Sequence, residues 1–172
     1  MTASRTRRTR TTLLPLGLLL LHLFCVQGAS AAAPRTEDVT SIDGILGAYY
    51  EVVSGPAGAA PDVARDRSLH HPDAWIAIAG RSEAGRPEVQ RMDLDGYHGD
   101  GGPRSEGFWE RETGRSVQRS GNMIHVWSAY ASSRTENGPP FATGVNSITL
   151  FDDGERLWIM GWMFDQAAGA GE

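Results

Sequence analysis

The chain has 172 residues, one cysteine and a formal net charge of −5 from 16 basic and 21 acidic residues. Every basic residue is an arginine, which excludes Schiff-base chemistry on a lysine. Cys25 falls within a predicted leader, so the mature chain would have no disulfide, thiolate nucleophile or cysteine metal site.

Residues 1–31 are predicted to be a cleavable signal peptide. A basic stretch (5–10), an apolar run (13–26) and small residues (28–33) follow one another in the order of such a leader. The apolar run is 14 residues long, shorter than the roughly 20 that a membrane helix needs. An uncleaved anchor is the alternative. We expect cleavage after Ala31 or within the next two residues, and a secreted or periplasmic mature protein.

The predicted mature domain is acidic. Without the four leader arginines, 12 basic and 21 acidic residues remain, which gives a net charge of −9. Such a domain repels nucleic acid and anionic membranes, so neither is an expected partner.

The first half of the mature chain is predicted to be mainly helical. Apolar residues recur every three or four positions from 38 to 53, which predicts one amphipathic helix capped by Thr36 or Thr40. A second helix is predicted over 61–69, a turn over 70–73 and a short strand over 75–78. The glycine-rich stretch 81–104 suggests one short helix, over 92–98.

The second half is predicted to be β-structure. Four strands are expected over 109–120, 123–134, 141–151 and 157–164, with turns between them. Helices first and long antiparallel strands last predict an α+β fold, in which a curved antiparallel sheet wraps over N-terminal helices. Residues 166–172 are predicted to be a disordered tail.

This order of elements resembles the nuclear-transport-factor-2-like superfamily, and most of all its uncharacterised SnoaL-like bacterial branch. The likeness covers residues 36–165. It is carried by the helix over 42–53, the His-Pro-Asp-Ala segment at 71–74, the Gly-Phe-Trp-Glu-Arg-Glu block at 107–112 with the strand after it, and the closing strands at 144–151 and 158–160. The resemblance implies a cone-shaped fold around an apolar pocket, where enzymes of the family place an Asp, His, Tyr or Glu. Such folds are weak guides to function.

The resemblance places His71 and Asp73 near the mouth of that pocket, where Asp73 could accept a proton. The alternative is a plain turn, in which Asp and Pro are favoured for backbone reasons. Adjacent histidine side chains diverge, so His70, His71 and Asp73 are not expected to hold a metal. We expect no cofactor.

Glu110 and Glu112 share one face of a predicted strand, and Arg111, Arg115 and Arg119 are expected on the other. If the glutamates face inward, an apolar cone raises the pKa of Glu112 and makes it a candidate base. The alternative is an exposed ladder of ion pairs.

On the next strand His125 shares a face with Trp127, and we expect it to be the polar partner of Glu112 inside the cone. The alternative for His125 is a core residue with satisfied hydrogen bonds. Asn146 is a lone amide in an apolar strand and needs a partner, either backbone or ligand. The predicted ligand-binding residues are His71, Trp75, Trp127 and Asn146.

Three functions remain open: a module that binds a small apolar molecule, a cofactor-independent isomerase, lyase or hydrolase, and a non-catalytic interaction module. The first is the expected one. A homodimer is also expected, because a single sheet covered by helices on one face leaves its other face in need of cover. Trp158 and Trp162 are predicted to share one face of the last strand, as core or as dimer contact.

Overall fold

A computed structural model describes residues 33–165; the predicted signal peptide and C-terminal tail lie outside the described residues. The helices are α1 (Thr36–Val39), α2 (Ile42–Val52), α3 (Val63–Leu69) and α4 (Leu94–His98). The prediction of one helix over 38–53 is wrong, because α1 and α2 are separate. Ser41 causes the break, since its hydroxyl caps α2 by accepting a hydrogen bond from the Gly44 amide at 2.9 Å.

The strands form one six-stranded sheet. They are β1 (His70–Arg81), β2 (Pro87–Met92), β3 (Trp109–Ser120), β4 (Met123–Ser133), β5 (Pro140–Asp152) and β6 (Leu157–Asp165). Their order across the sheet is β2-β1-β6-β5-β4-β3. All neighbouring pairs are antiparallel except β1 and β6, which are parallel. The predicted α+β fold, with a curved sheet and N-terminal helices, is confirmed.

Helix α2 covers one face of the sheet, which we call the inner face; the opposite face is the outer face. Ile45 and Leu46 of α2 are fully buried, in keeping with the predicted apolar stripe. Alternate strand residues complete this core, each at most 1% exposed: Ile76, Ile124, Val126, Ile148, Leu150 and Ile159. Burial of each such side chain contributes roughly 1.5–3 kcal/mol to stability.

The start of β1 differs from the prediction of a turn over 70–73. The chain is already extended there, but its pairing with β6 jumps from His70 to Trp75. Pro72 lies inside the gap and has no amide hydrogen to give to a neighbouring strand. The sequence also gave no sign of β2, because its residues are exposed along nearly the whole strand and so do not alternate.

Two irregularities change which face a side chain occupies. In β3 the pairing with β4 skips Thr113, which is an extra residue between Glu112 and Gly114. Arg115 therefore lies on the inner face beside Glu112, and not on the opposite face as predicted. In β6 the pairing with β5 skips Met160, which lies between Ile159 and Gly161. Trp158 and Trp162 therefore lie on opposite faces, and the prediction that they share one is wrong.

Candidate functional site

A cavity of about 450 Å³ lies on the inner face of the sheet, beside α2 and α4. We call it the aromatic cavity, because seven rings line it: Tyr49, Tyr97, Phe108, Tyr130, Phe141, Trp162 and Phe164. Its other lining residues are Glu110, Ser132, Ala142, Asn146 and Asp165. Phe141 is 47% exposed and Asp165 is also exposed, so these two mark the mouth.

Glu110 is the carboxylate inside this cavity. It stands opposite Ser132 in the β3–β4 register, and the Ser132 hydroxyl donates to Glu110 Oε2 at 2.9 Å. The side chain of Asn146, which also lines the cavity, lies near the same carboxylate and favours its ionised form. Burial raises the pKa of Glu110 to about 7, against the opposing effects of Ser132, Arg104 and Asn146. The group therefore exchanges a proton near neutral pH.

The tyrosines around Glu110 stay protonated. Burial is the main cause that raises the pKa of Tyr49, Tyr97 and Tyr130, and the charge of Glu110 adds to it in each case. Tyr130 can lie across β5 because residue 144 is glycine: a Cβ there would come within 2.6 Å of the Tyr130 hydroxyl oxygen. Neutral phenol groups thus line the wall as hydrogen-bond donors and apolar surface.

A buried polar cluster holds one wall of the cavity in place. The Trp162 indole N–H donates to His70 Nε2 at 3.2 Å, and an indole can only donate, so His70 carries its proton on Nδ1. That nitrogen lies 2.9 Å from the carbonyl oxygen of Asp66. The Asp66 carboxylate lies 2.7 Å from His98 Nε2, which ties α3 to α4. Through this cluster α4 and its Tyr97 are fixed against Trp162, with ring centroids 4.9 Å apart.

Glu112 takes part in a second network, which reaches the aromatic cavity only through Asn146. Ser128 donates to Glu112 Oε1 at 2.6 Å, the Tyr50 hydroxyl lies 2.7 Å from Ser128 Oγ, and Asn146 donates to Tyr50 at 3.3 Å. Because Ser128 gives its hydrogen to Glu112, Tyr50 must give its own to Ser128. On its other oxygen Glu112 pairs with Arg115 at 2.6 Å, and Arg115 also reaches Asp43.

The Glu112 side chain therefore faces inward, as it would have to do as a base, but it does not line the aromatic cavity. It borders a neighbouring groove of about 440 Å³ between α2 and β3, with Arg115 and Asp43. The carboxylate that does line the aromatic cavity, Glu110, was placed on the same strand face by the sequence yet not selected as the base. The two-residue period of the strand indicated that Glu110 and Glu112 share a face, but it did not show how deeply each side chain is buried.

His125 and Trp127 lie on the outer face of β4. His125 Nε2 is 3.0 Å from the Ser147 hydroxyl, and the Trp127 side chain is 53% exposed. The expected pairing of His125 with Glu112 inside the cone is wrong, since the two side chains point to opposite faces of the sheet. Trp75 is also on the outer face, where its ring packs on Gly161.

The remaining predicted residues are divided between two places. Asn146 is buried and sits at the aromatic cavity, as described. Asp73 is at the start of β1 with its side chain 87% exposed, and its nearest partner is His71, 3.6 Å away. His71 borders a different cavity of about 520 Å³, with Arg156 and Trp158. The structure thus does not bring Asp73 or His71 together with Glu110 or Asn146.

Size alone does not select the aromatic cavity. A groove of about 630 Å³ on the outer face, bordered by Trp127 and Met163, is larger, and so is the cavity beside His71. Neither holds a buried carboxylate, whereas the aromatic cavity combines apolar walls with convergent polar groups and a strongly shifted pKa at Glu110. That combination is typical of ligand and active sites.

Within residues 33–165, no group of three or more His, Cys, Asp or Glu side chains is arranged to hold a metal ion. None of the helices described in this range is long and apolar enough to cross a membrane.

No protein-family model and no curated protein matches the sequence. The solved structures that are similar to it include three proteins. A protein assigned as the beta subunit of an aromatic-ring-hydroxylating dioxygenase from Novosphingobium aromaticivorans is 12% identical, with 61% of this chain and 77% of that chain covered and a TM-score of 0.47.

The other two are NTF2-like proteins of unknown function. The one from Shewanella baltica is 10% identical, with 70% and 86% covered and a TM-score of 0.45. The one from Methylobacillus flagellatus is 18% identical, with 73% and 94% covered and a TM-score of 0.44.

At such identities and TM-scores these comparisons say nothing about activity, and the likeness to the SnoaL-like branch stays a prediction. The fold is identified by the chain's own architecture: N-terminal helices, then a curved, unclosed sheet in the order β2-β1-β6-β5-β4-β3, with a pocket on its helix-covered face. The described part of the chain has the nuclear-transport-factor-2-like fold.

Proposed function

We propose that the protein binds a small, mainly apolar molecule in the aromatic cavity, with Glu110 and Asn146 as its polar contacts. The observation that carries the proposal is a carboxylate buried among aromatic rings, with a hydrogen bond from the Ser132 hydroxyl and the neutral side chain of Asn146 nearby. Burying a carboxylate away from water costs free energy, and this cost is unfavourable unless the group has a binding partner. A cavity of about 450 Å³ is within the usual range for small-molecule sites, roughly 300–1,000 Å³.

A filled-cavity variant tests the proposal. Ala142 and Thr143 are adjacent in β5, but Ala142 lines the aromatic cavity and Thr143 is exposed on the outer face. With the neutral fluorescent probe N-phenyl-1-naphthylamine, Ala142→Phe should weaken binding at least tenfold, because the new ring occupies the cavity. Thr143→Phe should leave the dissociation constant within about twofold. Equal affinities in the two variants would contradict the proposal.

A second candidate, a cofactor-independent isomerase, lyase or hydrolase, is favoured by the position of the Glu110 pKa near 7. A general base works best when its pKa lies near the working pH. In this case Glu110 would take a proton from the bound substrate, and the tyrosine hydroxyls would donate hydrogen bonds to the charge that develops.

The two candidates differ in what Glu110→Gln does. For a base, the substitution should lower kcat by about two to four decades with KM nearly unchanged, and the wild-type rate should rise through pH 7. For a binding module, no compound that binds should be converted, and the substitution changes only the affinity. A compound library monitored by mass spectrometry for products separates the two.

A further inference from the structure

We infer that the ligand of the aromatic cavity is a small organic cation, with a protonated amine or quaternary ammonium group carried on an apolar or aromatic body. The inference rests on the function proposed above and adds the chemical class of the ligand. It is carried by the charges that line the cavity and by the arrangement of the rings.

The charges that line the cavity have one sign. Its buried carboxylate is Glu110, and no Arg, Lys or His is among the described lining residues. A buried carboxylate is normally compensated by a cationic partner. The polar side chains beside Glu110, those of Ser132 and Asn146, are neutral. A ligand cation would supply the missing charge.

The nearby arginines are held elsewhere. Arg104 is the arginine whose charge lowers the pKa of Glu110. Its guanidinium, however, donates to the Val53 carbonyl oxygen and stacks over Phe108, 4.7 Å from the ring centroid. Arg134 stacks over Phe141 at 4.0 Å and pairs with Glu106. Two of the seven rings are therefore already covered by a cation of the chain itself.

The other rings form walls of different orientation. Tyr97 stands at 90° to Trp162, and Tyr49 at 74° to it, with centroids 4.9 and 5.7 Å apart. A cation is attracted to the electron-rich faces of Trp and Tyr, by roughly 2 kcal/mol or more when water is excluded. Both pairs are edge-to-face contacts, and Phe164 stacks on Trp162 at 25°, so only the ring faces turned toward the cavity can meet a ligand cation. A neutral apolar ligand would need the rings but not the carboxylate.

Protonation of Glu110 supports the same ligand class. The groups that face it are the neutral Tyr49, Tyr97 and Tyr130, the hydroxyl of Ser132, the amide of Asn146, and at longer range Arg104 and Asp165. Because burial raises the pKa of Glu110 to about 7, the free protein holds part of its carboxyl groups protonated at neutral pH. A bound cation would favour the ionised form, so its affinity should rise as the pH rises through 7.

Three benzyl-sized probes test the inference: benzylamine as cation, benzyl alcohol as neutral molecule and benzoate as anion. Each is titrated at pH 8 into the ¹⁵N-labelled protein, and the Trp162 indole N–H signal reports binding in the cavity. Benzylamine should bind at least tenfold more tightly than benzyl alcohol, and benzoate weakest. In Glu110→Gln the preference for benzylamine should disappear. Glu83→Gln, in the exposed β1–β2 turn, removes the same charge and should change nothing.

The outcomes separate the inference from the function on which it rests. If benzyl alcohol moves the Trp162 signal with equal or higher affinity than benzylamine, the cation inference fails and the proposed cavity stands. If Glu110→Gln keeps the benzylamine preference, the carboxylate is not its source and the inference fails as well. If none of the three probes moves the signal, both the inference and the proposed binding function are overturned.

Discussion

Glu110 and Glu112 point to the same face of β3, two residues apart, yet their carboxylates lie in opposite electrostatic settings. Glu112 is 2.6 Å from the Arg115 guanidinium, whereas Glu110 accepts from the Ser132 hydroxyl and lies near the neutral Asn146 side chain in the aromatic cavity. Burial without a paired cation raises the pKa of Glu110 to about 7. The first prediction follows from this difference.

Glu110→Gln should change how stability depends on pH. A carboxyl group whose pKa rises from 4.5 to about 7 on folding stabilises the native state below pH 4.5, and that contribution is lost as the pH rises to 7. The wild type should therefore lose about 3 kcal/mol relative to Glu110→Gln between pH 4 and pH 8. Urea unfolding of both proteins at pH 4 and at pH 8 measures this difference in the free energy of unfolding.

Glu112→Gln is the matched control for that experiment. It leaves the aromatic cavity unchanged but removes the partner of Arg115 and weakens the acceptor of Ser128. We expect it to lower the free energy of unfolding at pH 8 relative to the wild type, whereas Glu110→Gln should gain stability relative to the wild type as the pH rises from 4 to 8. If the free energy of unfolding depended on pH in the same way for Glu110→Gln and the wild type, Glu110 would not be held in an apolar setting.

The hydrogen bond between Tyr50 and Ser128 should stabilise the fold measurably. Both groups are buried, with the oxygens 2.7 Å apart, and Tyr50 also accepts from Asn146. Tyr50→Phe and Ser128→Ala should each cost about 1–3 kcal/mol, because each leaves a buried polar partner unsatisfied. In a double-mutant cycle the double variant should cost less than the sum, with a coupling above about 0.5 kcal/mol. Strict additivity would rule out a functioning bond.

The outer face should carry a homodimer interface. Trp127 and Met123 are 53% and 62% exposed there, beside the exposed Phe151 and Met163. Contiguous exposed apolar side chains of this kind mark interaction surfaces. Light scattering at micromolar concentration should give twice the chain mass, and Trp127→Glu should give a monomer. A monomeric wild type would contradict the expectation.

The leader should be removed on export. Residues 1–31 have the basic, apolar and small segments of a signal peptide in order. The intact mass of the periplasmic or secreted product should correspond to a chain that begins near Ala32. A full-length chain recovered from the membrane fraction would favour the uncleaved anchor instead.

The strand pattern of the sequence predicted much of the fold. The predicted strands 109–120 and 123–134 match β3 and β4 closely, because alternating residues and the Gly-Asn turn between them are local signals. The break at Ser41 and the irregular start of β1 were missed, since each depends on one residue: a capping hydroxyl and a proline without an amide hydrogen. The exposed β2 carried no pattern at all.

The candidate site was harder to predict than the fold. Period-two reasoning placed Glu110 and Glu112 on one face of β3 and left its direction open, but the extra residue at Thr113 brought Arg115 to the same side and gave Glu112 a partner. The face of His125 was open in the sequence, because either face of β4 carries apolar side chains. Tyr49 and Tyr97 join Glu110 only through the packing of α2 and α4 on the sheet, which no local pattern encodes.

A crystallographic screen of small aromatic fragments is the most direct test of the proposed site, because the described domain has other cavities of similar or larger size. We expect fragments in the aromatic cavity, with a polar atom within hydrogen-bond distance of Glu110. Fragments found only in the outer-face groove beside Trp127, or only in the cavity beside His71 and Trp158, with the aromatic cavity left without any, would contradict it.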